Sequence, residues 1–121
     1  MSAFGDLDAM PAQQLSPGYL ARAVHGAHAT FAVVEIEPGA ELPEHSHENE
    51  QLGLVLRGSV AFRVGDEERT LGPGGTWVIP SGMPHLVRGG ADGAVVLDFF
   101  APAREEWKQL ESLPHTRLSW P

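Results

Sequence analysis

The chain of 121 residues is long enough for one compact domain and too short for two of ordinary size. Hydrophobic residues make up 42% and charged residues 20%, and no apolar run approaches the roughly 20 residues that cross a bilayer, so a globular protein without a membrane span is expected. Eight basic against sixteen acidic residues give a net charge of -8, which offers nucleic acid no basic field, and the absence of cysteine excludes disulfides, thiolate ligands and a cysteine nucleophile.

In chain order, the first 18 residues read as an arm or a short edge strand closed by Pro17 and Gly18. Strands follow near Leu20–Val24, Thr30–Ile36, Glu41–His45, Gln51–Arg57, Ser59–Val64, Glu68–Leu71, Thr76–Ile79, His85–Arg88 and Ala94–Phe99, from their Val, Leu, Phe and Thr content. Gly- and Pro-rich turns at Glu37–Ala40, Val64–Glu68, Gly72–Gly75, Pro80–Pro84 and Gly89–Gly93 separate nearly every pair. This rhythm is that of an antiparallel sandwich or jelly roll. Trp77 and Phe62 are expected in the core with Ile79 and Val60 or Val64. Only Ala103–Leu113 reads as a helix, with Trp107 and Leu110 on one face, covering a barrel edge or a subunit contact. No basic n-region with a long apolar segment opens the chain, so no secretory signal and a cytoplasmic location are expected.

The chemistry-bearing residues gather around "PEHSHENEQ". In an extended segment, side chains two residues apart share a face, so His45 and His47 project side by side. Gln51 begins the next strand after a short bend, and His85 stands at the end of the Pro80–Pro84 turn. Three imidazole nitrogens and an amide oxygen suit a divalent transition metal such as Zn, Ni, Fe, Mn or Co. His25, His28 and His115 lack a matching spacing and are expected in structural or solvent roles. Arg22, Arg63 and Arg88 lie on expected strands, where any that faces inward would anchor a substrate.

Gly39, His45, His47, Gln51 and Gly58, separated by five, one, three and six residues, match the first motif of the cupin family, with Gln51 where a glutamate is usual. Gly74, Pro80, Gly82 and His85 match the second, with Gly89 in place of its final asparagine. The chain therefore resembles a small cupin. The resemblance implies an all-β fold, a double-stranded β-helix or jelly-roll barrel spanning residues 19–102, with the N-terminal arm (1–18) before it and a short C-terminal helix and tail (103–121) after it. It further implies a homodimer and a metal held by His45, His47, Gln51 and His85.

The form "HSHENEQ" and the trio Asp98, Phe100 and Arg104 in "LDFFAPAREEW" are similar to the KdgF family. That likeness implies a redox-neutral opening and tautomerisation of unsaturated uronates, or of a similar small oxygenated anionic substrate. Asp98 would then shuttle a proton, Arg104 would pair with the carboxylate, and Phe100 would pack on the sugar ring. The chain departs from that family in its longer C-terminus and in Asn49, where a histidine is common. An iron-dependent dioxygenase on the same ligands and a non-catalytic sugar- or small-molecule-binding protein stay open as alternatives.

Overall fold

Two long strands carry the architecture of the computed structural model, which describes residues 2–121. They are β5 (Glu50–Val64) and β8 (His85–Ala101), antiparallel and paired along almost their full lengths from Glu50↔Ala101 to Val64↔His85. The first half of β8 takes β4 (Glu41–His45) as its other neighbour, and the second half takes β3 (Thr30–Ile36). β5 likewise pairs with β7 (Thr76–Ile79) through its first half and with β6 (Glu67–Leu71) through its second. β2 (Tyr19–His25) and the edge strand β1 (Gln13–Ser16) extend the sheet beyond β3. The sheet thus folds over on itself into a β-barrel of the jelly-roll type, with the core between its two layers.

Alternation along the strands fills that core. Ala32, Val34 and Ile36 of β3, Val55, Val60 and Phe62 of β5, and Val87, Ala94 and Val96 of β8 point inward with Tyr19, Trp77 and Ile79. Trp77 and Phe62 stack at 4.8 Å between centroids, in the core as the alternation predicts.

The sequence reading breaks β5 and β8 each into two strands, at Gly58 and at Gly89–Gly93, whereas both run through. The reason is local. Register slips between Val55 and Arg57 and between Gly58 and Val60 are bulges that bend a strand without ending it. Gly58 has φ 78°, and a Cβ there would lie 2.1 Å from the Gly93 carbonyl oxygen, so the two strands approach too closely for any side chain.

The predicted helix at Ala103–Leu113 is present only as a 3-10 turn, Glu105–Gln109. Arg104 caps it without a side-chain hydrogen bond. Beyond it the Leu113 N–H donates to the Ala12 carbonyl and Gln13 bridges to Ser112, so the backbone groups a longer helix would use are committed to the edge of β1. Arg22 is fully buried but turns away from the barrel interior. Its guanidinium pairs with Glu35 and donates to the carbonyls of Met10 and Thr116, pinning the arm and the tail across β2 and β3. Arg63 and Arg88 pair with Glu44 and Glu41 at the surface. None of the three arginines lines the interior cavity. No helix among the described residues is long and apolar enough to cross a membrane.

Gly58→Ala is expected to lower stability by about 2–3 kcal/mol, because it combines a left-handed backbone with a backbone clash. Urea unfolding checks this, and a midpoint equal to wild type would contradict it.

Candidate active site

Strand register brings the predicted residues together. His45 at the end of β4 lies directly opposite His85 at the start of β8, and His47 follows in the bend before β5. On β5, Gln51 sits opposite Phe100 and Gly53 opposite Asp98, which makes Gln51 and Asp98 diagonal neighbours on one face. Gly53 also faces Trp77 across β7. A Cβ at Gly53 would fall 2.5 Å from the Trp77 ring and 2.6 Å from Asp98 Oδ1. The absence of a side chain there is what lets indole and carboxylate meet.

The three imidazoles form a tight cluster, with ligand atoms all within 4.8 Å of one another. Each Nδ1 faces a backbone carbonyl: His45 that of Pro43 at 2.8 Å, His47 that of Asn49 at 2.9 Å, and His85 that of Met83 at 2.8 Å. A carbonyl oxygen only accepts, so each Nδ1 carries the proton and each neutral ring keeps a bare Nε2. Burial holds the pKa of His47 below its ordinary value and that of His85 down to about 4, so both are uncharged near neutral pH. His85 Nε2 is buried with no hydrogen-bond partner, an orphaned lone pair inside the barrel.

Gln51 closes the cluster. Its Oε1 lies 3.1 Å from His47 Nε2, and its Nε2 donates to Asp98 Oδ1 at 2.9 Å. The second bond fixes which end of the amide is oxygen. Oε1 and the bare His47 nitrogen are then two lone pairs facing one space with no proton between them. The geometry, the orphaned His85 nitrogen and the neutral nitrogen and oxygen donor set all fit a divalent metal, which His45, His47, His85 and Gln51 could hold.

Asp98 is not an edge-strand charge, since β8 lies between β3 and β5. The side chain is buried, and Oδ1 accepts from both Gln51 Nε2 and Trp77 Nε1, each at 2.9 Å. Burial pushes its pKa up to about 6, against the opposing effect of those two hydrogen bonds and of the Arg104 charge. Oδ2 makes no hydrogen bond among the described residues, and Asp98 lines an interior cavity of about 200 Å³ together with His45, His85, Gln51 and Arg104.

Arg104 stacks its guanidinium on Phe100 at 4.8 Å and on Trp107 at 4.5 Å, while Nε donates to Glu106. Its two terminal nitrogens make no hydrogen bond among the described residues. Phe100 is buried, edge-on to His47 at 5.8 Å and to Trp107 at 5.0 Å. His25 bonds Thr30 Oγ1, which in turn accepts the Arg104 backbone N–H, and His115 meets the Asp8 carbonyl.

Three contributors were not assigned to the site from sequence. Trp77 reads from sequence as core alone, although an indole N–H in a core needs an acceptor. Gly53 gave no signal. Asn49, a departure from the KdgF pattern, is buried: its carbonyl accepts from His47, and its amide donates to the carbonyl of Pro102, two residues before Arg104.

A jelly-roll barrel with a converging histidine cluster and a buried acid inside it defines a β-barrel with a candidate metal site. The profile of the cupin domain matches residues 32–100, and the chain belongs to the cupin family. Over 77 residues, 64% of this chain, it is 34% identical to the D-lyxose ketol-isomerase of Cohnella laeviribosi, and it spans 37% of that protein's length. Among solved structures, KdgF from Halomonas sp. superposes with a TM-score of 0.80 at 26% identity, covering 88% of this chain and 98% of that one. An RmlC-like cupin from Shewanella frigidimarina shares the fold at a TM-score of 0.81 and 20% identity, covering 88% and 96%. So does oxalate decarboxylase of Bacillus subtilis, a protein with Mn(II) centres, at 0.74 and 20%, covering 93% and 34%.

In the metal-free protein, the Asp98 carboxyl is expected to titrate near pH 6 by carbon-13 NMR, ionising as pH rises through that value. Trp77→Phe removes a hydrogen bond that favours the ionised form and should move the midpoint higher still. A midpoint near that of an ordinary aspartate would contradict the buried geometry.

Proposed function

We propose that this cupin is a redox-neutral, metal-dependent enzyme that opens and tautomerises unsaturated uronates or a similar small oxygenated anion. The placement of Asp98 carries the reading: a carboxyl with one oxygen fixed by two N–H donors and the other free, beside three imidazoles with bare nitrogens. The likeness to KdgF over most of both chains supports it. His45, His47, His85 and Gln51 Oε1 would hold the metal. A bound divalent ion would supply Lewis acidity toward a substrate hydroxyl or carbonyl oxygen, undiminished in charge because every donor is neutral.

The chain's own groups do the rest. With a pKa of about 6, Asp98 exchanges a proton near neutral pH in either direction, which ring opening followed by enol-to-ketone tautomerisation requires. Oδ1 is held, so Oδ2 is the atom that gives and takes the proton. Arg104 offers its two terminal N–H groups as a fork for a carboxylate, and its stacking on Phe100 and Trp107 limits its rotamers before substrate arrives. That local positive charge offsets the long-range repulsion of a chain with net charge -8. Phe100 packs beneath this guanidinium and limits water around it.

A second reading follows from the likeness to D-lyxose ketol-isomerase: aldose-to-ketose isomerisation of a neutral sugar by the same proton transfers. Arg104 separates the two, since a neutral sugar has no carboxylate for it to bind.

The test follows loss of enol absorbance with unsaturated galacturonate. Chelation should abolish the rate, a divalent metal should restore it, and removal of oxygen should leave it unchanged. Asp98→Asn should lower kcat by roughly a hundredfold or more with metal content retained, and Arg104→Gln should mainly raise KM for the uronate. Wild-type kcat in Asp98→Asn, or activity indifferent to chelation, would contradict the proposal. An oxygen requirement would point to a dioxygenase instead.

A further inference from the structure

Most polar groups of the interior cavity belong to one connected cluster around Gln51 and Asp98. Apart from the site already described, its wall is built mainly by aliphatic and aromatic side chains, among them Val34, Ile36, Leu42, Phe62, Val87 and Val96, and among the described residues no serine, threonine, asparagine, lysine or glutamate contributes to it. Tyr19 also faces it. Its hydroxyl lies 3.0 Å from both the Ala40 and the Val87 carbonyl oxygens, so its single proton is committed to backbone.

Among the described residues, a ligand in this space therefore finds hydrogen-bond donors at Gln51, Arg104 and the Trp107 indole, acceptors at Asp98 and the Tyr19 hydroxyl oxygen, and the donor set of the imidazole cluster, with aliphatic carbon elsewhere. Those groups can satisfy one carboxylate and one or two neighbouring oxygens. Any further hydroxyl would lose water and face aliphatic carbon, and a buried polar group without a partner loses affinity. Resting on the reading of Asp98 and Arg104 given above, we propose that the preferred substrate is a small anion with its oxygens clustered at one end and an apolar body. An alkyl, alkenyl or aromatic oxo acid, or its enol, has that form, whereas a sugar acid hydroxylated on every carbon does not. An unsaturated uronate, with one hydroxyl fewer than its saturated parent, falls between.

The arrangement explains why a chain with net charge -8 combines a stacked arginine with an aliphatic wall. Arginine and the cluster orient the charged end, and the wall accepts the remainder by excluding water. A polyol site of the same volume would show amide and hydroxyl side chains around its circumference.

Calorimetric titration of the zinc-loaded wild-type protein with phenylpyruvate and with galacturonate tests this without requiring turnover. Phenylpyruvate is expected to bind about tenfold tighter or more, with unsaturated galacturonate between the two. Val96→Thr, which places a hydroxyl on the wall at nearly constant volume, should narrow that ratio, with thermal melting as the check on its fold. Galacturonate binding as tightly as phenylpyruvate, or tighter, would overturn the inference. The two claims fail separately: tight galacturonate binding with fast uronate turnover removes the apolar preference and leaves the enzymatic reading, whereas the expected binding order without uronate turnover does the reverse.

Discussion

Gln51 turns its carbonyl oxygen to the imidazole cluster and its amide nitrogen to Asp98, and a carboxylate at that position would be unable to do both. A glutamate has no N–H to give. It would set a second anion about 3 Å from Asp98 in a buried site, where like charges force one of the pair to stay protonated. The neutral amide instead couples the cluster to the acid through one rigid group, fixing the Asp98 carboxyl by the same side chain that faces His47. The free orientation of Oδ2 follows from this contact, while the bare nitrogens on the other side of the amide follow from backbone carbonyls that hold each Nδ1 proton.

The barrel is arranged to maintain it. Gln51 and Asp98 are diagonal partners across the two strands that bind both layers together, so their separation is set by the register of the longest pairing in the molecule. Gly53 leaves a gap in that register which the Trp77 indole enters to hold Asp98 from the opposite side. The acid is thereby kept in a strained electrostatic state, with its pKa raised by burial and partly restored by two donors. Side chains aimed from facing strands of a packed sheet lose little freedom when a ligand binds, which favours tight geometric control of a proton-transfer group.

Much of this was legible in the sequence, and the limits have physical causes. β3, β4 and β7 fall where the alternation and turn residues place them, because each is bounded by glycine, proline or histidine-rich bends that interrupt pairing. β5 and β8 read as pairs of strands in the sequence since glycine marks a turn and a bulge equally well, and only the partner strand decides between them. The C-terminal helix is shorter than its sequence pattern suggests because helical periodicity in Trp107 and Leu110 does not reveal that Leu113 finds a better acceptor in Ala12. At the site, spacing brought His45, His47, Gln51 and His85 forward, and the structure brings them together with Asp98 and Arg104. The contacts between them were hidden: nothing in one sequence says that the Gln51 amide donates to an aspartate 47 residues away, or that Arg104 lies on Trp107 and pairs with Glu106.

The neutrality of Gln51 is the property on which the site most depends, and Gln51→Glu is the substitution that isolates it. Metal content and the pH dependence of turnover on unsaturated galacturonate should be measured together for this variant and the wild type. The metal should be retained, since a carboxylate is also a competent oxygen donor, while turnover falls sharply and its pH profile shifts, because Asp98 has lost a donor and gained a neighbouring anion. Wild-type turnover with an unchanged pH profile in the metal-loaded variant would show that the amide bridge between the cluster and Asp98 is not what the site requires.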